Sequence, residues 1–310
     1  MTQQIFRSYI GSCDFNVGTL FAHDGYALML AQMCEKEGIA FPIDYVFGSV
    51  SCLFQGGRAA PLAFDRDNVC DVFDRYAQAG VGCRLTFSNY DIAEADLDDE
   101  ESNFLLERLN QGENNGVIVS SDVLADYIRA SYPKLQIISS LVKPTVENKL
   151  GTEGPEYYNA LFDRYDIVVV NSAFAFDDEY LAKIEHPGRV EFIVNHRCRP
   201  NCPLSKDHYT TQTLAARAAS TGNFIAQRRL EGKLVQINEE CLRSRHEAPL
   251  VNSLISASRV EELVKMGFRH FKLEGRDYPL PVMVRDVGTW IFEPDGVYLS
   301  MTQALLNTPI

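Results

Sequence analysis

The chain has 310 residues, of which 46% are hydrophobic, and it carries 42 acidic against 29 basic residues for a formal net charge of −13. This length and hydrophobic content suffice for a full buried core, and an α/β barrel of about 250 residues forms one domain. A nucleic-acid-binding surface normally shows an excess of basic residues, so the acidic balance argues against RNA or DNA as a partner.

The N-terminal segment lacks a basic patch followed by an apolar stretch, and no run of eighteen apolar residues occurs in the sequence. We therefore expect neither a secretory signal nor a membrane span, and we predict a cytoplasmic location. The chain has eight cysteines. In such a compartment, clustered cysteines indicate metal or redox chemistry before disulfides.

Short apolar strands alternate with amphipathic helices along the chain. The predicted strands cover residues 44–51, 83–88, 117–120, 136–141, 167–170, 190–194 and 270–273, with a candidate eighth strand at 250–255. The predicted helices cover residues 65–79, 102–110, 122–131, 157–164, 177–184 and 257–266. Asp65 is placed to cap the first of these helices. We expect residues 195–249 to be irregular.

A closed parallel barrel fits this alternation best. The strand at 167–170 (IVVV) is apolar on both faces, as a parallel sheet covered by helices requires. No glycine-rich phosphate loop follows the first predicted strand, which disfavours an open doubly wound sheet. We predict a (β/α)8-type TIM barrel, regular or distorted, over residues 1–277. A C-terminal extension over residues 278–310 is predicted to pack on it.

In such barrels, the residues after the carboxyl ends of the strands surround the active site. Three predicted strands lead into asparagine, at Asn89, Asn171 and Asn195. An amide both donates and accepts hydrogen bonds, so it can orient a polar substrate or cap the next turn. The last strand leads into Glu274 and Arg276, which could pair with each other or bind a substrate carboxylate.

A cysteine-rich loop follows the strand at 190–194. Cys198 and Cys202 are separated by three residues, and Cys241 lies 39 positions after Cys202. Thiolates that converge would favour zinc or an iron–sulfur cluster over hard cations. The candidates for a fourth ligand are His196, His208, His246, a distant cysteine and the substrate.

These segments resemble the collagenase-like peptidase U-32 family. The resemblance rests on residues 195–209 (NHRCRPNCPLSKDHY), on Cys241, and on residues 271–276 (FKLEGR). The strand-final Asn171 and the segment GVIVSSDVLADYIRASYP also fit. Together they span roughly residues 40–277. The resemblance implies a barrel-type catalytic domain with a 4Fe–4S cluster on four cysteines. It also implies either protease activity or oxygen-independent hydroxylation of RNA bases or quinone precursors.

Carried over to this chain, the cluster ligands are Cys198, Cys202 and Cys241. The sequence departs from the family pattern at the fourth ligand, because position 245 is arginine and position 246 is histidine. An open iron, a histidine-ligated cluster through His208 or His246, or a lost cluster would each be consistent with this departure.

The leading hypothesis is an iron–sulfur enzyme that acts on a polar small-molecule or peptide substrate. Its candidate catalytic residues are Asn171, Asn195, His196, Glu274 and Arg276. The first alternative is a peptidase-like hydrolase that uses zinc or a Cys198–His196 pair, although no H-E-x-x-H or G-x-S-x-G motif is present. The second is a non-catalytic, cluster-holding accessory protein that works with a partner subunit.

Overall fold

The computed structural model describes residues 5–56, 65–198, 201–247, 254–276 and 278–293. Eight parallel strands form a closed barrel in which each strand pairs with its neighbour in the chain and the last pairs with the first. The strands are β1 (Asp14–Val17), β2 (Tyr45–Gly48), β3 (Gly82–Phe87), β4 (Gly116–Val119), β5 (Gln136–Ser139), β6 (Ile167–Val170), β7 (Val190–Ile193) and β8 (His270–Leu273). The predicted (β/α)8 barrel is therefore confirmed.

Helices follow the strands, and most of them bury an apolar face against the barrel. They are α1 (Asp24–Lys36), α2 (Arg66–Gln78), α3 (Glu100–Gln111), α4 (Asp122–Ser131), α5 (Val142–Val146), α6 (Pro155–Leu161), α7 (Asp178–Leu181), α8 (Ser205–Ser220), α9 (Phe224–Glu247), α10 (Ala257–Lys265) and α11 (Leu280–Trp290). The Asp65 side chain accepts hydrogen bonds from two backbone amides of α2, which confirms the predicted cap. No helix in the described ranges is long and apolar enough to cross a membrane.

The structure corrects two sequence expectations. β1 is missing from the predicted strands because two of its four residues, Asp14 and Asn16, are polar and interrupt the apolar run. The expectation of irregular structure at 195–249 is wrong, since α8 and α9 pack against each other as a helical hairpin. Of the candidate strand at 250–255, residues 250–253 lie outside the described residues, and Leu254 forms an isolated bridge with Asn195.

The segment after β8 packs on the barrel through α11. Met283, Val287 and Trp290 of this helix are buried in the main core between barrel and helices. The Trp290 indole nitrogen donates to the carbonyl of Ile255 at 2.7 Å. Residues 294–310 of the predicted extension lie outside the described residues.

The inside of the barrel contains both apolar side chains and polar or charged ones. Six inward-facing side chains form a small apolar cluster, separate from the main core: Phe47, Ile118, Ile138, Ile167, Val169 and Ile193. Four polar or charged residues are also buried in the interior: Asn16 of β1, Arg84 of β3, Glu191 of β7 and Lys272 of β8. Side chains alternate across a strand. Each of these residues can therefore point into the barrel while its neighbours in the strand face outward.

Arg84 and Glu191 lie at the centre of this group of four residues. Arg84 Nη1 donates to Glu191 Oε2 at 3.2 Å, Arg84 Nη2 donates to Gln136 Oε1 at 2.7 Å, and the guanidinium lies 3.7 Å from the centroid of the Tyr45 ring. Asn16 Nδ2 donates to the same Glu191 oxygen at 3.2 Å. Because neither charge reaches water, each depends on the other for its solvation.

We expect Arg84→Met to destabilise the protein by about 3–5 kcal/mol, because it leaves the Glu191 carboxylate buried without its main partner. The double variant Arg84→Met/Glu191→Met should recover much of that loss. Lys265→Met is the matched control, since the Lys265–Glu261 pair is largely exposed and should contribute less than about 1 kcal/mol. Denaturant unfolding measures all three. An Arg84→Met loss no larger than that of the control would contradict the assignment.

Candidate functional site

A cavity of about 330 Å³ opens at the end of the barrel where the strands terminate. Its deep wall consists of inward-facing strand residues, among them Phe47, Ile118 and Ile193. Its upper wall comes from residues that follow the strands and from the helical hairpin: Ser88, Ser140, His208, Tyr209, Asn238, Cys241, Glu274, Arg276 and Tyr278. In TIM barrels this face carries the chemistry.

Two cations line this cavity at the end of β8. Lys272 Nζ lies 4.0 Å from the centroid of the Phe47 ring, and the Arg276 guanidinium lies 5.3 Å from the same centroid. Burial lowers the pKa of Lys272 to about 8, with the Arg276 charge acting in the same direction and Glu191 opposing it. The cavity thus has two cationic side chains beside the Glu274 carboxylate, in a protein with a strongly negative total charge.

Asn195 joins the loops that follow β7 and β8. Its Nδ2 donates to the Glu274 carbonyl and to Asp286 Oδ2, both at 2.8 Å, and its Oδ1 accepts from the Glu274 backbone amide at 2.7 Å. The side-chain amide of Asn195 is fully buried, and its nitrogen and its oxygen both form hydrogen bonds within the protein. The structure places Asn195 as a positioning residue for Glu274, behind the cavity wall.

His196 and Glu274 form a histidine–carboxylate pair at the rim. His196 Nδ1 lies 3.2 Å from Glu274 Oε2, and both side chains are mostly buried. A carboxylate on one ring nitrogen fixes the orientation of the imidazole and leaves the other nitrogen for a proton or a metal. The pair connects two cavities, since Glu274 lines the central one and His196 lines a second one beside it.

Glycine is required between Glu274 and Arg276. A β carbon at Gly275 would lie 1.6 Å from Met283 Sδ of α11. The backbone at Gly275 therefore passes close to α11. The residues on either side of it, Glu274 and Arg276, line the cavity.

Arg197, in the loop after β7, binds Asp286 of α11 and so fixes the loop to this helix. Arg197 Nη2 donates to both oxygens of the buried Asp286, at 2.7 and 2.9 Å, and its guanidinium lies 4.6 Å from the centroid of the Tyr278 ring. Because Asp286 also accepts from Asn195, one carboxylate orients the two residues that flank His196. This arrangement fixes the start of the cysteine-bearing loop.

The three candidate ligand cysteines line one small cavity of about 40 Å³ beside the central one. Cys198 and Cys202 come from the loop after β7, and Cys241 comes from α9. His196, His208 and Asn171 line the same space. The side chain of His246 is outside the described residues. Four residues form a wall common to both cavities: Leu141, His208, Tyr209 and Cys241.

The donor types suit a soft metal, because thiolates and imidazoles bind zinc and iron–sulfur clusters. Their arrangement is not that of a formed metal site. Within the described ranges, no three histidine, cysteine, aspartate or glutamate side chains are placed to hold a single ion. Ligation would require these side chains to move closer together.

The other strand-final asparagines serve the local backbone. Asn171 Oδ1 accepts from the Ala173 amide at 3.1 Å and so caps the short 3-10 helix after β6. Asn89 Oδ1 accepts from the Asp91 amide at 2.9 Å, while its Nδ2 donates to the Leu53 carbonyl at 2.7 Å. Asn171 borders the cysteine cavity as well as capping the turn.

The hairpin of α8 and α9 covers the mouth of the barrel. Arg217 of α8 donates to both oxygens of Asp96 at 2.8 and 2.9 Å, and these bonds hold the pKa of Asp96 below its usual value. Tyr90 donates from its hydroxyl to Thr210 Oγ1 at 3.1 Å. These contacts to the loop after β3 hold His208 and Tyr209 over the cavity.

The sequence predicted no role for Lys272, Arg84 or Glu191, all of which are buried charged residues in the structure. The signal was present, because each is a charged residue at an inward position of a strand that is otherwise largely apolar. Such a residue is rare in a barrel core and therefore indicates either a buried ion pair or a site.

The fold has a counterpart among solved structures. The U32 peptidase Mk0906 superposes with a TM-score of 0.51 at 13% identity, over 86% of this chain and 94% of that one. A GH113 β-1,4-mannanase matches with a TM-score of 0.32 at 12% identity, over 67% of this chain and 83% of that one. No protein-family model matches the sequence, and comparison with curated proteins gives no match. The chain thus has a U32-like barrel fold.

Proposed function

We propose that the protein is a barrel enzyme that binds a small-molecule or peptide substrate through an anionic group in the central cavity, beside a cysteine-held iron–sulfur cluster. The main support for this proposal is the wall that the two cavities share. Because Cys241 and His208 border both spaces, a cluster on the cysteines would lie next to the substrate. The resemblance of residues 195–209 to the U-32 family points to the same cofactor.

The chain's own residues supply binding and proton handling. Lys272 and Arg276 present positive charge from one wall, which suits a carboxylate or a similar anion. Glu274 and His196 are held in contact and can accept or deliver a proton at the cavity rim. The hairpin of α8 and α9 covers the cavity. When bound, the cluster would supply electron transfer or an open iron.

Hydrolysis of a peptide is the second candidate. The His196–Glu274 pair has the geometry in which a carboxylate orients a histidine that activates water or a thiol. The U32 peptidase Mk0906 shares the fold. This candidate needs no iron, and so metal analysis separates it from the first.

Arg276→Gln should weaken the binding of propionate, used as a simple carboxylate probe, by about 10-fold or more. Removing the guanidinium deletes a charge-assisted hydrogen bond, which is typically worth about 1.5–3 kcal/mol. An NMR titration measures the affinity. Arg129→Gln is the matched control, because Arg129 pairs with Asp166 on the outside of the barrel. Equal affinities in the two variants would contradict the proposed anion site.

Cys202→Ser should remove most of the iron and sulfide from protein purified without oxygen, together with the visible absorption of the cluster. The change deletes one thiolate of the proposed ligand set. Cys70→Ser is the control, since Cys70 lies on α2 and is partly exposed, as Cys202 is. Wild-type protein that contains zinc would favour the hydrolase. Equal iron content in Cys202→Ser and the wild type would exclude Cys202 as a ligand.

A further inference from the structure

Two lysines are buried among the described residues, Lys143 and Lys272, and their nitrogens differ in their contacts with carboxylates. Lys143 Nζ lies 2.8 Å from Asp122 Oδ1 and 3.0 Å from Glu147 Oε1, so two carboxylates pair with it. Lys272 Nζ lies 3.8 Å from Glu191 Oε1, beyond hydrogen-bond distance. Glu191 directs its other oxygen to Arg84 and Asn16. The Lys272 nitrogen is thus left facing the cavity it lines.

The groups around Lys272 come from four strands. Arg84 on β3 and Glu191 on β7 lie on the barrel side, while Glu274 and Arg276 follow β8. Phe47 of β2 places its ring against the ammonium. A lysine buried next to other cations and an aromatic ring is the environment in which enzymes keep an amine free for attack on a carbonyl.

We propose that Lys272 forms a Schiff base with a substrate that carries an aldehyde or ketone next to its anionic group, as in a 2-oxo acid. The inference rests on the proposed function, since it requires the anionic substrate to occupy the central cavity. Arg276 binds the carboxylate. Both cations lie near the Phe47 ring in the same cavity, so a carbonyl next to the bound carboxylate would come within reach of the Lys272 amine.

The reaction is an addition followed by loss of water. The neutral ε-amine of Lys272 forms a C–N bond to the carbonyl carbon, the carbonyl electron pair moves to oxygen, and the oxygen takes up the proton that the nitrogen loses. A second proton, relayed from solvent by Glu274, converts this hydroxyl into water, and the C–O bond breaks. The product is a protonated imine plus one water, with no oxidant or reductant required.

Borohydride trapping tests this step on the full chain. Pyruvate is the carbonyl probe, and a trapped imine is reduced to a stable secondary amine that peptide mass mapping locates. At pH 7 we expect labelling at Lys272 on the order of 100-fold faster than at a surface lysine, because its lowered pKa leaves that much more free amine. Lys272→Arg should abolish the label, since arginine keeps the charge but stays protonated.

Lys265→Arg is the matched control, because Lys265 is an exposed lysine on α10, and it should leave the Lys272 label unchanged. Mapping of the wild-type protein decides the question even if Lys272→Arg does not fold. Label spread evenly over surface lysines, in protein that still binds propionate, would overturn the Schiff base and leave the proposed function standing. Failure to bind either probe would overturn both.

Discussion

The buried ion pair between Arg84 and Glu191 is the interaction on which the rest of this barrel depends. Both charges lie on inward-facing strand positions, where an apolar side chain would pack without desolvation cost. With the pair in place, Asn16, Gln136 and Lys272 each have a polar or charged neighbour. Lys272 links this group of interior residues to the lining of the cavity.

This continuity explains why the anionic protein has a cationic cavity. Glu191 already interacts with Arg84, so it only partly offsets the charge of Lys272. At the rim, Asn195 and Asp286 hold the loops after β7 and β8 together. That support fixes Glu274 and His196 beside the cavity and leads directly to the cysteine-bearing loop. A functional site needs this kind of rigid backing for its polar side chains.

The sequence was sufficient for the architecture and for part of the site. Runs such as IVVV predict buried parallel strands because only a sheet covered on both faces tolerates them. β1 escaped prediction because its Asp14 and Asn16 are polar, whereas the strand of Lys272 was predicted and only the role of the lysine was missed. Which polar residue meets which depends on barrel closure, which joins β1, β7 and β8 across long stretches of sequence. The three cysteines were predicted to converge, and the structure brings them to one cavity without forming a ligand set.

A crystal structure of the protein with malonate, a small dicarboxylate, tests the central claim most directly, because it shows where an anion binds. The account predicts a carboxylate within hydrogen-bond distance of both Arg276 and Lys272, against the ring of Phe47. Malonate bound only at other surfaces, with this cavity holding none, would contradict it.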